Sequence, residues 1–225
     1  MIGNAAPPAD LLPDERGFAR LRLLNAAMGF LHFAQGIIML LLSSSRTLPL
    51  RQTFLNSEGT TTQTTTVFDI RLGPVVAAFL LISAIAHFLI ASPWLYPWYV
   101  RNLKRRINYV RWYEYAASSS VMIVVIAMLS GVLDLPSLVL LFALNATMIF
   151  FGLMMELHNQ TTERTNWTAF TFGSFAGIVP WVIIGWYFGG AAVNTSVPTF
   201  VYGILISLFI FYNIFPINML LQYAR

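Results

Sequence analysis

The chain has 225 residues, of which 57% are apolar and only 10% charged, with a mean hydropathy of +0.69. A soluble domain covers itself with about 25% charged residues, so an ordinary soluble domain is excluded. The continuous apolar stretches also exclude a β-barrel, whose strands alternate. The net charge of +4 is too modest to indicate nucleic-acid binding, and the lack of cysteine excludes disulfide and thiol chemistry.

The start, MIGNAAPPADLLPDERGFAR, is polar and mixed in charge. It lacks the basic start and short apolar core of a secretory signal, so the first apolar helix is expected to stay in the mature protein. Six spans follow, over about 21–43, 73–91, 105–132, 136–156, 167–188 and 199–222. Each is close to the ~20 residues that cross a bilayer core. They form a single all-α transmembrane bundle over 1–225. Residues 44–72 make the long polar connection between the first two spans. Its stretch TFLNSEGTTTQTTTVFDI is rich in Thr and β-branched residues around NSEG, which suggests a β-hairpin. The competing reading is a disordered Thr/Ser loop. SPWLYPW after the second span reads as an aromatic, proline-rich interfacial turn, and the third span is expected to begin within or just after RNLKRR.

The side holding the N-terminus carries Arg16, Arg20, Arg22, Arg101, Lys104, Arg105, Arg106, Arg164 and Arg225. The other carries Arg46, Arg51 and Arg71. The basic excess places the N-terminus in the cytoplasm, as a multi-pass protein of the cell membrane.

Glu114 stands well inside the third span, ~13 Å from its inner end by helical rise. A charge at that depth is costly without a cavity or partner, which makes Glu114 a site candidate. His32 in the first span lies ~15 Å in and His87 in the second ~6–10 Å in. Gln35 follows His32 by nearly a turn, and Ser83 precedes His87 by one. Glu114, Ser118 and Met122 share a helix face flanked by Tyr115 and Ser119. In the fourth span Asn145 and Met148 lie near mid-membrane, and Gly152 allows close approach. Plainer roles compete with these. A lone intramembrane His or Ser usually bonds a neighbouring helix. Glu114 has Arg111 one turn earlier as an ion-pair partner, and Trp181, Phe209 and Tyr212 are ordinary packing residues in that reading. Two His and one Glu on three helices lack paired-ligand spacing, so no metal is expected. No Gly-rich phosphate loop, Ser-His-Asp set or paired carboxylate suggests an enzyme. Asp134 and Glu156 sit at span ends, which leaves Glu114 too isolated for the acid relay of a vectorial pump.

RWYEYAASSSVMIV, together with LHFAQ, SAIAHF, LNATMIFFG, FGSFAGIVPW and FVYGILISLFIFYN, resembles the heliorhodopsins, the inverted relatives of microbial rhodopsins. The resemblance spans nearly the whole chain from the first helix. It implies a seven-helix rhodopsin-like bundle around all-trans retinal held as a protonated Schiff base. Glu114 would be the counterion, with Tyr115, Ser118 and Ser119 hydrogen-bonding around it. Met122, Asn145, Met148, Gly152, Trp181, Phe209 and Tyr212 would shape the retinal pocket. His32, Gln35, Ser83, His87 and Arg111 would form a cytoplasmic-side polar cluster that stores the proton the Schiff base releases in light. The resemblance further implies a homodimer helped by the 44–72 segment, and a light-sensing or regulatory role through a signalling partner. The family's retinal hangs from a lysine in a seventh helix. The only lysine here is Lys104, in a basic loop, so the resemblance implies a further helix beyond Arg225. A chromophore-free six-helix homologue is the alternative. Two other functional classes compete: a transporter or channel with a polar pathway past Glu114, His32 and His87, and a scaffold whose polar core only packs.

Overall fold

A computed structural model of the chain describes residues 14–224. The polar start up to Pro13 and the terminal Arg225 lie outside the described residues. The order is α1 (Glu15–Leu42), β1 (Thr47–Leu55), β2 (Thr62–Arg71), α2 (Leu72–Ala91), α3 (Tyr96–Lys104), α4 (Tyr109–Leu129), α5 (Leu135–His158), α6 (Thr168–Asn194) and α7 (Thr199–Tyr223). All but α3 are long and apolar enough to cross a membrane, giving six candidate spans among the described residues.

Several boundaries differ from the sequence reading, for local reasons. Helix α1 begins at Glu15 because Asp14 caps it, its carboxylate accepting from the Gly17 amide at 2.7 Å. The aromatic stretch read as a turn leads into α3 at Tyr96, with Pro97 in its first turn, where a missing amide costs nothing. The third span therefore starts at Tyr109, capped by the Asn108 side chain, and not within the basic run. Arg106 in the connection adopts φ +62°, the left-handed region uncommon outside glycine. Helix α6 runs on to Asn194, with Pro180 inside it.

The hairpin expected between the first two spans forms, so that segment is not a disordered loop. Thr47 pairs with Arg71 and Leu55 with Thr62, with a bulge at Leu50/Arg51. Asn56 shapes the turn, its Oδ1 accepting from the amides of Thr60 and Thr61. The bulge turns Leu50 into the core, and the Arg51 amide reaches the Leu133 carbonyl at 2.8 Å. The sheet is thereby fastened to the α4–α5 connection.

Backbone packing runs from α1 to α2 to α4 to α5 to α6. Gly29 and Gly36 let α1 close on α2, since an added Cβ would sit 2.8 Å from Phe88 and Leu81 side-chain atoms. Helix α7 stands further off and joins through rings: Phe215 on Trp112 and Tyr115, and Phe209 and Tyr212 on Trp181. Apolar side chains gather in two groups, one near the hairpin around Ile123, Met128, Leu138 and Ile184, and one near the basic end around Trp112, Ile149, Met155 and Met219.

Trp112 is completely buried, and its ring occupies the space a side chain at Gly152 would need. Gly152→Ala is expected to force α4 and α5 apart and cost about 1–3 kcal/mol. Thermal unfolding in detergent micelles checks this; a melting temperature equal to wild type would show that Trp112 yields freely.

Candidate functional site

Glu114 projects from the first third of α4 and is half-buried. Its Oε1 accepts a short hydrogen bond from the Ser83 hydroxyl of α2. The sequence placed Ser83 with the histidines, but it serves the carboxylate. It stands one turn before His87 on the same face of α2.

The serines expected around Glu114 have other partners. Ser119 donates to the Tyr115 carbonyl at 2.6 Å and accepts from Asn145 Nδ2 at 2.9 Å. The same Nδ2 donates to Ser120, at 3.0 Å. Ser118 is buried beside them. This serine run ties α4 to α5 at mid-bundle, and Ser120, missed by the sequence reading, is part of the tie.

The rings of His32 and His87 stack 5.6 Å apart at 20° across the α1–α2 contact. His32 Nδ1 donates to Gln35 Oε1 at 3.1 Å. His87 Nδ1 donates to Asn25 Oδ1 at 2.9 Å, while the Asn25 amide nitrogen bonds the Leu21 carbonyl at 2.8 Å. With both Nδ1 atoms donating, each neutral ring keeps Nε2 as an acceptor. Asn25 was not anticipated from the sequence.

Arg111 does not join the histidines, nor does it pair with Glu114. It forms an ion pair with Glu156 of α5 and lies 4.6 Å over the Trp112 ring. Glu156, read from the sequence as a span-end residue, is 2% exposed. It also accepts from Trp112 Nε1 at 2.7 Å and from the Asn108 amide at 3.0 Å. A buried carboxylate needs this many donors to remain charged. The usable signal was Trp112, a buried indole that must find an acceptor.

The expected pocket residues lie along α4, α5, α6 and α7. Trp181 of α6 meets Phe209 and Tyr212 of α7 edge-on, at 5.0 and 5.4 Å between ring centroids. Met122, Trp181 and Tyr212 pack against the group near the hairpin, and Met148 against the group near the basic end. Three buried polar atoms in this region have no hydrogen-bond partner: Asn145 Oδ1, Trp181 Nε1 and Tyr212 Oη. Buried polar atoms are rarely left unpaired. At Gly152 the free space is taken by Trp112, so that glycine serves helix packing.

On its other flank Glu114 forms part of the wall of an apolar groove of about 570 Å³ between α2, α3 and α4. No cluster of three or more metal-ligating side chains exists among the described residues.

Among curated proteins none is similar enough in sequence to count as a match. The family model for heliorhodopsin matches residues 21–225, which takes in α1 from Leu21 onward, the hairpin and every later helix to α7. With a helical bundle, six candidate spans and a two-stranded hairpin, the chain belongs to the heliorhodopsin family, whose members are retinal-binding membrane proteins.

Proposed function

We propose that the protein is a light sensor, with Glu114 the counterion of an all-trans retinal Schiff base and the space along α4–α7 its pocket. The observation that carries this reading is the set of unpartnered polar atoms, Asn145 Oδ1, Trp181 Nε1 and Tyr212 Oη, among aromatic rings on the helices that the family match covers. The rings of Trp181, Phe209 and Tyr212 suit a long apolar polyene, and Glu114 suits a charged group at its end. Retinal, when bound, supplies a light-isomerisable chain and, joined to a lysine amine, a cation. Lys104 is not that amine, because it is exposed at the end of α3. The scheme therefore needs an anchoring amine that these 225 residues do not supply.

In this scheme Glu114 supplies the negative charge that keeps the cation protonated. Ser83 fixes the carboxylate's direction and relays its state to α2. The free Nε2 atoms of His32 and His87 accept a proton displaced in light. Trp181, Phe209, Tyr212, Met122 and Met148 limit which way the chain of retinal can bend. The Lys and Arg distribution supports a cytoplasmic N-terminus. Phe54, Leu55, Val67 and Phe68, exposed on the hairpin, support a homodimer contact there. Light-induced rearrangement of the helices would then be read by a signalling partner.

Flash photolysis of the retinal-loaded protein in sealed vesicles tests the sensory reading. Expected is a blue-shifted transient with no sustained pH change. Sustained light-driven proton movement would favour a pathway past Glu114, His87 and His32, and no transient at all would defeat both readings.

A further inference from the structure

The groove between α2, α3 and α4 is lined by Ile82, Ile85, Ala86 and Leu89 of α2, and by Leu95 and Trp98 around α3. Tyr109, Val110, Tyr113, Glu114 and Ala117 of α4 complete it. Its volume of about 570 Å³ lies in the range that small ligands fill. Apart from the Glu114 carboxylate and two tyrosine hydroxyls, its side chains are hydrocarbon or indole. From Tyr109 to Ala117 it follows α4 for ~12 Å of helical rise. The stacked pair Trp98 and Tyr109, 6.0 Å apart, closes it at the basic end.

The chemistry at that mouth is distinctive. Arg101, Lys104, Arg105 and Arg106 fall between two lining residues, Trp98 and Tyr109, and all four are exposed. No acidic residue occurs from Ser92 to Tyr113. Among the described residues the only ion pair is that of Arg111 with Glu156, so these four cations have no carboxylate partner. Lys104 leans over the Phe18 ring at 5.5 Å, which joins α1 to the patch. Trp94, 89% exposed, and Tyr96 flank it, side chains suited to the headgroup layer. An open apolar groove, with a basic turn lying in sequence between two of its lining residues, complements a molecule with an acyl chain and an anionic head.

We propose that this groove is a binding site for one anionic phospholipid. Its phosphate rests on the basic turn Arg101–Arg106, and one acyl chain lies against Ile82, Leu89, Trp98, Val110 and Ala117. Clustered basic residues next to a membrane span attract anionic lipid. The chain's far end reaches the outer flank of Glu114, where it displaces water from the side of the carboxylate that Ser83 does not cover. The proposal does not depend on retinal, since Glu114 is the only residue it shares with the counterion site and lipid retention is read without chromophore.

The test is native mass spectrometry of the protein extracted in detergent with equal amounts of palmitoyl-oleoyl phosphatidylglycerol and phosphatidylcholine. The expected result is one retained phosphatidylglycerol per chain, preferred at least tenfold over phosphatidylcholine. The double variant Arg101→Gln/Arg105→Gln changes two exposed side chains, so the fold is kept. It should lose about fivefold in preference for each arginine neutralised. Ala86→Trp fills the groove from α2, and Ala117→Phe fills it from α4. Either should abolish retention of both lipids with the basic turn intact, and a melting curve for each variant confirms folding. Equal retention of the two lipids, an unchanged preference in the double variant, or phosphatidylglycerol still bound to a folded filled-groove variant would overturn the site. A groove covered by another segment or a second copy of the chain would give the first of these outcomes.

Discussion

Glu114→Gln is expected to lower the pKa of the retinal Schiff base by about 1–3 units and to move the visible band to the red. The glutamine keeps a hydrogen bond from Ser83 but removes the negative charge. Without that charge the cation loses its main stabilisation in a region where the other carboxylates are distant or spoken for. The buried carboxylate of Glu156 is committed to Arg111, Trp112 and Asn108. Glu156→Gln should therefore leave the band where it is. Ser83→Ala should produce a smaller shift than Glu114→Gln, because the serine only orients the anion. A pH titration of the band in the three variants measures all of this. An unmoved pKa in Glu114→Gln would remove Glu114 from the counterion role.

Arg111→Leu is the largest expected loss of stability. It leaves the Glu156 carboxylate, 2% exposed, with two neutral donors and no positive charge. Breaking a buried pair in this way costs about 3–5 kcal/mol, which for a domain of this size corresponds to a drop of roughly 10 °C in melting temperature. Glu156→Gln should cost less, because the Arg111 side chain is 31% exposed and part of its charge is solvated. The double replacement Arg111→Leu/Glu156→Leu should recover most of the loss, since two apolar side chains leave no buried charge. Thermal scans in one detergent settle the order. A double variant as unstable as Arg111→Leu alone would show that Trp112 and Asn108, stripped of their acceptor, dominate.

What the sequence could and could not show follows from two geometric facts. Span length and apolar continuity are local, so all six long helices were visible, as was the hairpin around Asn56. Helix rotation is not local. The Glu114–Ser83 and Arg111–Glu156 pairs depend on which faces of α2, α4 and α5 meet, which residue depth alone does not specify. Depth counted from span ends also misjudged Glu156, because α5 continues past it to His158 and the turn before α4 folds over it. Helix α3 was hidden because Pro97 and three aromatics looked like a turn; in nine residues only its basic last turn marks a helix end. Asn25 escaped notice for the same reason as Glu156: polarity near a boundary is unremarkable until a partner such as His87 is seen across the interface.

The most direct measurement is the absorption spectrum of the purified protein after retinal is supplied, taken before and after illumination with hydroxylamine. Expected is a single visible band that hydroxylamine bleaches in light, shifted in Glu114→Gln and restored to its wild-type position in Glu114→Asp. A protein that carries the anchoring lysine, folds, and stays colourless with retinal present would contradict the assignment of Glu114 and the residues along α4–α7 to a retinal cation.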